Sequence, residues 1–426
     1  MPASLHENYQ AIPPRKIAPV SGSERLTSLD FTRGIAVMGI LFANIIGMGQ
    51  PFSAYTWPGG FLNPHDHFAD WLWVVQFVLI DGKMRGLFTL LFGAGLVLFA
   101  ERAAARGSGR GLALIRLFWL FLFGLAHFYL LWRGDILTLY AMCGTIALVA
   151  LNWTPVQQLA AGITAYGFGV IYNTVSLAPL WLANETVRGT LPEYSGIAQA
   201  TEAMIASDRA DALREAAISA DGTWLDYVAH TATVHRWEWL DVFVYSWTEA
   251  IPLMLMGMAL FRIGLFNGRL NRRRQAFWGW IGVIVGALLT LPLGLWVLLS
   301  DFTYSTTMLA ALGPQALTRL PMVLGLAALL GLCTRADGWF SSRVVAAGRT
   351  AFSNYLGTSF VTLFVFQGWA LGLFGELSRE SLYLVALGVC ILMLLWSKAW
   401  LSLFRYGPLE WLWRCLTYRR FFPLTR

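Results

Sequence analysis

His127 and Asp135 flank a short polar break, Trp132-Arg133-Gly134-Asp135, between apolar runs at 112–132 and 135–151. Antiparallel helices joined there bring an imidazole to a carboxylate. A carboxylate that holds one ring nitrogen fixes the tautomer and leaves the other nitrogen to take a proton from a hydroxyl or an amine. That nitrogen can also carry an acyl group as a nucleophile. His127 and Asp135 are therefore the catalytic candidates. Two plainer readings stay open: an imidazole satisfied by a backbone carbonyl, and an Arg133–Asp135 pair that leaves His127 by itself. Trp132, Arg133 and Tyr140 belong to the same constellation and are candidates for the wall of a cavity.

A second set of residues suits an anionic ligand. Asp30 and Arg33 are three apart and share a helical face. They open the apolar run 31–50, where an ionisable group needs a partner or a cavity. Lys83 and Arg85 interrupt a long apolar stretch, and Arg349 with Asn354 opens another. Asp30, Arg33, Lys83, Arg85, Arg349 and Asn354 are the candidates for holding a phosphate-bearing cofactor. Helix anchoring, snorkelling to the interface and helix packing are the competing readings. Asn44, Glu249 and Gln367 are polar groups within apolar runs and complete the cavity candidates. Metal ligation is not expected. His65, Asp66 and His67 form a compact loop cluster, and His230 and His235 stand near one another, but each group is weak support for a metal. Cys143, Cys333, Cys390 and Cys415 form no CxxC pair.

These groups are positioned by a chain of 426 residues that is 57% hydrophobic and only 13% charged. Soluble domains carry roughly 25% charge, so a water-soluble fold is excluded. Apolar runs of about 20 residues, the length of a spanning helix, occur near 31–50, 70–100, 112–132, 135–151, 156–181, 240–261, 275–299, 319–334, 350–373 and 381–403. The net charge of +7 is grouped in the links between runs, which reads as a topology signal rather than as nucleic-acid binding. Arg15, Lys16 and Arg25 precede the first run, Arg102, Arg106 and Arg110 follow the second, and Arg335, Arg343 and Arg349 follow the eighth. Placing these residues together on the cytoplasmic side requires an odd number of crossings within 70–100; one crossing there gives about ten in all, with both termini inside.

The expected fold is all-α, a polytopic transmembrane helical bundle. Its parts are a cytoplasmic tail (1–30), an N-terminal transmembrane half (31–181), an extracytoplasmic cap or loop (182–238), a C-terminal half (239–404) and a basic tail (405–426). Nine acidic residues and four arginines between Glu185 and Glu238 mark the cap as polar, and 202–217 reads as a surface helix. The lipid bilayer is the first partner. Remaining apolar surface faces lipid or a second subunit of a homo-oligomer.

Three stretches carry a family resemblance. They are Leu29-Asp30-Phe31-Thr32-Arg33-Gly34 with Asn44, then His127 with Trp132-Arg133-Gly134-Asp135, then Gly348-Arg349 with Ser353-Asn354-Tyr355 and the run Phe404-Arg405-Tyr406-Gly407-Pro408-Leu409-Glu410-Trp411. With them the chain resembles, over most of its length, the YeiB-like bacterial inner-membrane proteins, the domain-of-unknown-function family 418. The N-terminal half of that family is similar to a wider set of transmembrane acyltransferases that includes the lysosomal heparan glucosaminide acetyltransferase. The resemblance implies an inner-membrane protein. It also implies an acyl donor, acyl-CoA or acetyl-CoA, entering from the cytoplasm, and a sugar, lipid or envelope-glycan acceptor on the far side. The alternative function is transport of a small or amphipathic solute, with Asp30, Asn44 and Glu249 lining an alternating cavity.

Overall fold

A computed structural model describes residues 26–63, 66–105, 107, 110–333 and 338–426. Most of the expected tail 1–30 lies outside the described residues, as do His65, Arg15, Lys16, Arg25, Arg106 and Arg335. The described chain is all-α. Helices α1 (Thr27–Gly49), α2 (His67–Leu79), α3 (Lys83–Ala104), α4 (Arg110–Leu130), α5 (Leu137–Ala147) and α6 (Pro155–Glu185) build the first half. Next come α7 (Pro192–Asp221) and α8 (Trp224–Thr233). The second half holds α9 (Glu238–Ile263), α10 (Arg272–Leu299), α11 (Tyr304–Leu312), α12 (Gln315–Gly331), α13 (Trp339–Arg349), α14 (Ala351–Phe366), α15 (Arg379–Leu403) and α16 (Pro408–Tyr418).

Local sequence sets many of the boundaries. Thr154 and Gln157 form a reciprocal capping box ahead of α6, with Pro155 in its first turn. Asn271 caps α10 by accepting from the amides of Arg273 and Arg274. Gly264 stops α9 at φ +104°, a conformation that favours glycine.

Among the described residues, six helical stretches are long and apolar enough to cross a membrane, and the protein is a multi-span membrane protein. The count becomes seven if α11 and α12, bent by 42° at their junction, form one broken span. This corrects the expectation of about ten. The runs 135–151 and 350–373 give only the short apolar helices Leu137–Asn152 and Ala351–Phe366, below the roughly 20 residues a full span needs. The run 156–181 becomes a 31-residue helix, but its glutamines, asparagines, threonines and glycines dilute its apolar character. The long run 70–100 is a single stretch from His67 to Ala104, 38 residues in length, with a turn at residues 80–82. Gly82 makes that turn at φ +72°.

Burial distinguishes the inner from the outer helices. In α1, 72% of the apolar window is buried inside the protein, against 22% in α10. Helix α1 is therefore central, whereas α10 leaves Phe277, Trp278, Ile284 and Leu288 exposed, as a lipid-facing helix does. Helices α3 and α9 approach closely because glycine permits it. A Cβ on Gly93 would lie 2.1 Å from the Met254 carbonyl oxygen, and one on Gly257 1.9 Å from that of Leu90.

Helices α7 and α8 fold over one end of the bundle. The Gly368 amide donates to the Ser219 carbonyl (2.6 Å). Trp224 Nε1 donates to the Leu130 carbonyl (2.8 Å), and the Phe52 amide donates to Glu215 (3.0 Å). We refer to this as the cap end. The opposite end is the basic end, where α1 begins beside Arg102, Arg349 and α16.

Candidate functional site

The turn between α4 and α5 sets the first contact. His127 Nδ1 lies 2.9 Å from Asp135 Oδ1. Asp135 Oδ2 accepts from the Thr138 amide (2.8 Å) and the Thr138 hydroxyl (2.9 Å). The carboxylate is thus fixed before it meets the ring. Gly124 makes room for this, since a Cβ there would sit 2.5 Å from the Thr138 nitrogen and 2.9 Å from Asp135 Oδ2. On the other side of the ring, His127 Nε2 is 2.8 Å from Ser359 Oγ, on α14. His127 is 1% exposed, Asp135 3% and Ser359 1%. A hydroxyl, an imidazole and a carboxylate in this order form the arrangement in which the base takes the hydroxyl proton and the carboxylate steadies the charged ring. Arg133 does not pair with Asp135; it turns to the cap.

Tyr355, one helical turn before Ser359, completes the layer. Its ring centroid is 5.1 Å from that of His127. Its hydroxyl donates to the Gly134 carbonyl (3.2 Å) and accepts from the Ile136 amide (3.2 Å).

Cavities reach this layer from both ends. The basic-end cavity has a volume of about 320 Å³ and includes Tyr140, Ile136 and Tyr355 in its wall. Asp30, Arg33 and Arg349 line it, together with Arg102, Arg116, Arg414 and Glu410, so five arginines face two carboxylates. This field suits a polyanion. Arg33 Nη1 stays 3.4 Å from Asp30 Oδ1, and Arg116 lies 3.6 Å from the ring centroid of Trp413. Glu410 receives the Phe352 amide (2.8 Å), the Ser353 amide (3.1 Å) and the Ser353 hydroxyl (2.5 Å), which ties α16 to the first turn of α14. The cap-end cavity, about 50 Å³, is lined by Ser359, Trp132, Arg133 and Gln367 along with Glu215, His230 and His235. Helix α1 contributes to both: Asp30 and Arg33 to one, Gly47 and Met48 to the other.

The remaining candidates fall elsewhere. Lys83 is fully buried and hydrogen-bonds the Phe77 carbonyl at 2.5 Å, outside both cavities. Arg85 and Arg319 share Glu249, at 2.9 and 2.6 Å. Arg85 and Asn44 line a third cavity, which also touches Asp135 and Trp132. Asn354 is in neither main cavity. Its amide nitrogen bonds the Ala347 carbonyl (3.0 Å), Thr350 Oγ1 (3.1 Å) and Ser397 Oγ (3.1 Å), and its oxygen accepts from Trp396 Nε1 (2.8 Å). It joins α14 to α13 and α15.

In the cap, Arg133 meets Glu215 (2.5 Å), Glu238 (3.4 Å) and Asp211 (3.6 Å). Burial lifts the Glu215 carboxyl above its ordinary range even though Arg133 pulls it down. Burial also acts to raise Asp211, but the hydrogen bond from His235 and the charge of Arg133 outweigh it and hold Asp211 low.

Ser359 and Tyr355 were not singled out as site residues by sequence reasoning. A signal was present: Tyr355, Thr358, Ser359 and Thr362 place four hydroxyls at helical spacing in an otherwise apolar run.

A family model described as "Protein of unknown function (DUF418)" matches residues 260–420. The chain is 30% identical over 413 residues to the uncharacterized protein YeiB of Escherichia coli (strain K12), covering 93% of this chain and 97% of that one. It is 27% identical over 419 residues to the uncharacterized protein YxaH of Bacillus subtilis (strain 168), covering 96% and 98%. No solved structure matches. The family model covers part of the C-terminal half, and none of these descriptions names an acyltransferase.

Proposed function

We propose, for a chain that belongs to the YeiB-like DUF418 family, that it transfers an acyl group across the membrane, from a thioester donor such as acyl-CoA or acetyl-CoA to a sugar, lipid or envelope acceptor. One observation carries the reading: His127, held by Asp135 and bonded to Ser359, lies in a thin layer between a basic cavity and a cap-end cavity. In this reading the basic end and both termini are cytoplasmic.

The donor's phosphates lie among Arg33, Arg116, Arg349 and Arg414, and its acyl end points at Tyr355. The Tyr355 ring must turn for the acyl carbon to reach the layer above. A hydroxyl, from Ser359 or from the acceptor, gives its proton to His127 Nε2 and bonds the acyl carbon. The C–S bond breaks, and the leaving thiolate takes the proton from His127. If Ser359 is acylated first, the acceptor hydroxyl repeats the step in reverse from the cap end. Asp135 stabilises the imidazolium in both halves. Arg133 and Gln367 face the acceptor, and Trp132 walls the space.

The coupled-transport alternative has less support, because Glu249 is held by the guanidinium groups of Arg85 and Arg319 and lines neither main cavity. The test is acyl transfer by the full chain in nanodiscs, with labelled acetyl-CoA supplied alongside envelope extract. Label should move to an extract component with the wild type and not with His127→Ala. Equal labelling by both proteins overturns the assignment.

A further inference from the structure

We infer that the cap holds a divalent transition-metal ion of the zinc class on Asp211, His230 and His235. Asp211 comes from α7, His230 from α8 and His235 from the turn that follows. Their ligand atoms lie within 4.8 Å of one another. His230 Nε2 is 3.4 Å from Asp211 Oδ1, and His235 Nε2 is 3.3 Å from Asp211 Oδ2. A tetrahedral ion with bonds of about 2.0–2.1 Å separates its ligands by roughly 3.4 Å, so the side chains need little rearrangement.

Two further observations point to a missing ligand. The His230 side chain is only 8% exposed. Its Nε2 has no hydrogen-bond partner, and neither has Asp211 Oδ1. Buried polar atoms are normally satisfied, and here two orphans face each other across one ion's width. The charge balance agrees. Asp211, Glu215 and Glu238 gather around Arg133 and His235, so carboxylates outnumber the cationic groups they contact.

Arg133 is the competitor. Its Nη1 stands 2.6 Å from His235 Nε2, where the ion would reach. An arriving ion displaces Nη1 while Nη2 keeps Glu215. Both histidines line the cap-end cavity, so water or a ligand oxygen supplies the fourth position. The site belongs to the cap and does not depend on acyl transfer. Neither the two histidines' separation in sequence nor Asp211, almost twenty residues before His230, marks it as a conventional zinc motif.

The experiment uses the full chain in nanodiscs, stripped with chelator and titrated with zinc chloride by calorimetry. The same sample is then titrated with cobalt(II), read by visible absorption. One zinc per chain and the intense bands of four-coordinate cobalt are expected. Asp211→Asn and His230→Gln should each weaken zinc by about tenfold or more, and Arg133→Gln should tighten it. Absence of stoichiometric zinc or of the cobalt bands in the wild type overturns the site. So does unchanged affinity in either ligand variant with a wild-type melting midpoint. If a ligand variant fails to fold, the wild-type cobalt spectrum and the direction of the Arg133→Gln effect decide.

Discussion

Asp135→Asn tests the proposed chemistry most directly. Asp135 accepts three hydrogens, one from His127 Nδ1 and two from Thr138. An asparagine has one oxygen. If that oxygen stays with the Thr138 amide, the new NH₂ group points at His127 Nδ1 and donates to it. The imidazole then carries its hydrogen on Nε2, facing Ser359, and cannot take the serine proton. In the Ser-His-Asp template, this tautomer error costs about 10⁴ in rate, or about 5.5 kcal/mol of barrier. The lost charged hydrogen bond costs folding only about 1.5–3 kcal/mol, so the protein should still assemble. Acyl transfer in nanodiscs measures the rate. Nitrogen-15 spectra of histidine-labelled protein report the tautomer independently: Nδ1–H in the wild type and Nε2–H in the variant. A variant with the Nε2–H tautomer and a rate within threefold of wild type would refute the base role of His127. An unchanged tautomer would refute the hydrogen-bond argument itself.

Other outcomes follow from the same geometry. Gly124→Val should push the Thr138 backbone and Asp135 apart, lowering transfer more than a hundredfold by the logic of misplaced catalytic groups, of order 10² per ångström, with the donor Kd unchanged in equilibrium binding. Arg33→Gln and Arg414→Gln should weaken donor binding and flatten its dependence on salt, measured by acetyl-CoA titration at two ionic strengths; unchanged salt dependence would clear the basic cavity of that role. Glu249→Gln leaves Arg85 and Arg319 without their shared carboxylate and should destabilise the bundle by about 3–5 kcal/mol, seen as a lower thermal midpoint. Asn354→Ala should also lower that midpoint while leaving the donor Kd alone, since Asn354 joins helices and lines neither main cavity.

The helical class was legible because apolar runs and arginine-bearing links are one-dimensional signals. His127 and Asp135 could be paired on paper because a turn of a few residues leaves neighbouring helices little freedom. Ser359 could not be placed that way. It is 232 residues from His127, and only the packing of α14 against α4 brings it to the ring. Asn354 shows the opposite failure. Its place beside Arg349 suggested a ligand contact, but the hydroxyls of Thr350 and Ser397 satisfy it first. The number of crossings was overestimated because an apolar run does not disclose how much of its length becomes helix. The run 350–373 yields a helix that ends at Phe366, and the rest turns to meet the cap.

The two cavities have an electrical consequence. If water fills both cavities in the acyl-transfer reading, each carries its compartment's potential inward toward the Tyr355–His127 layer. A membrane voltage normally spread over about 30 Å of hydrocarbon would then be concentrated near that layer. A full charge crossing the whole drop exchanges about 2.3 kcal/mol per 100 mV. Even the short hop of a proton between Ser359 and His127 would sample a sizeable share of it, so the energised state of the cell would bias which way the imidazole is loaded.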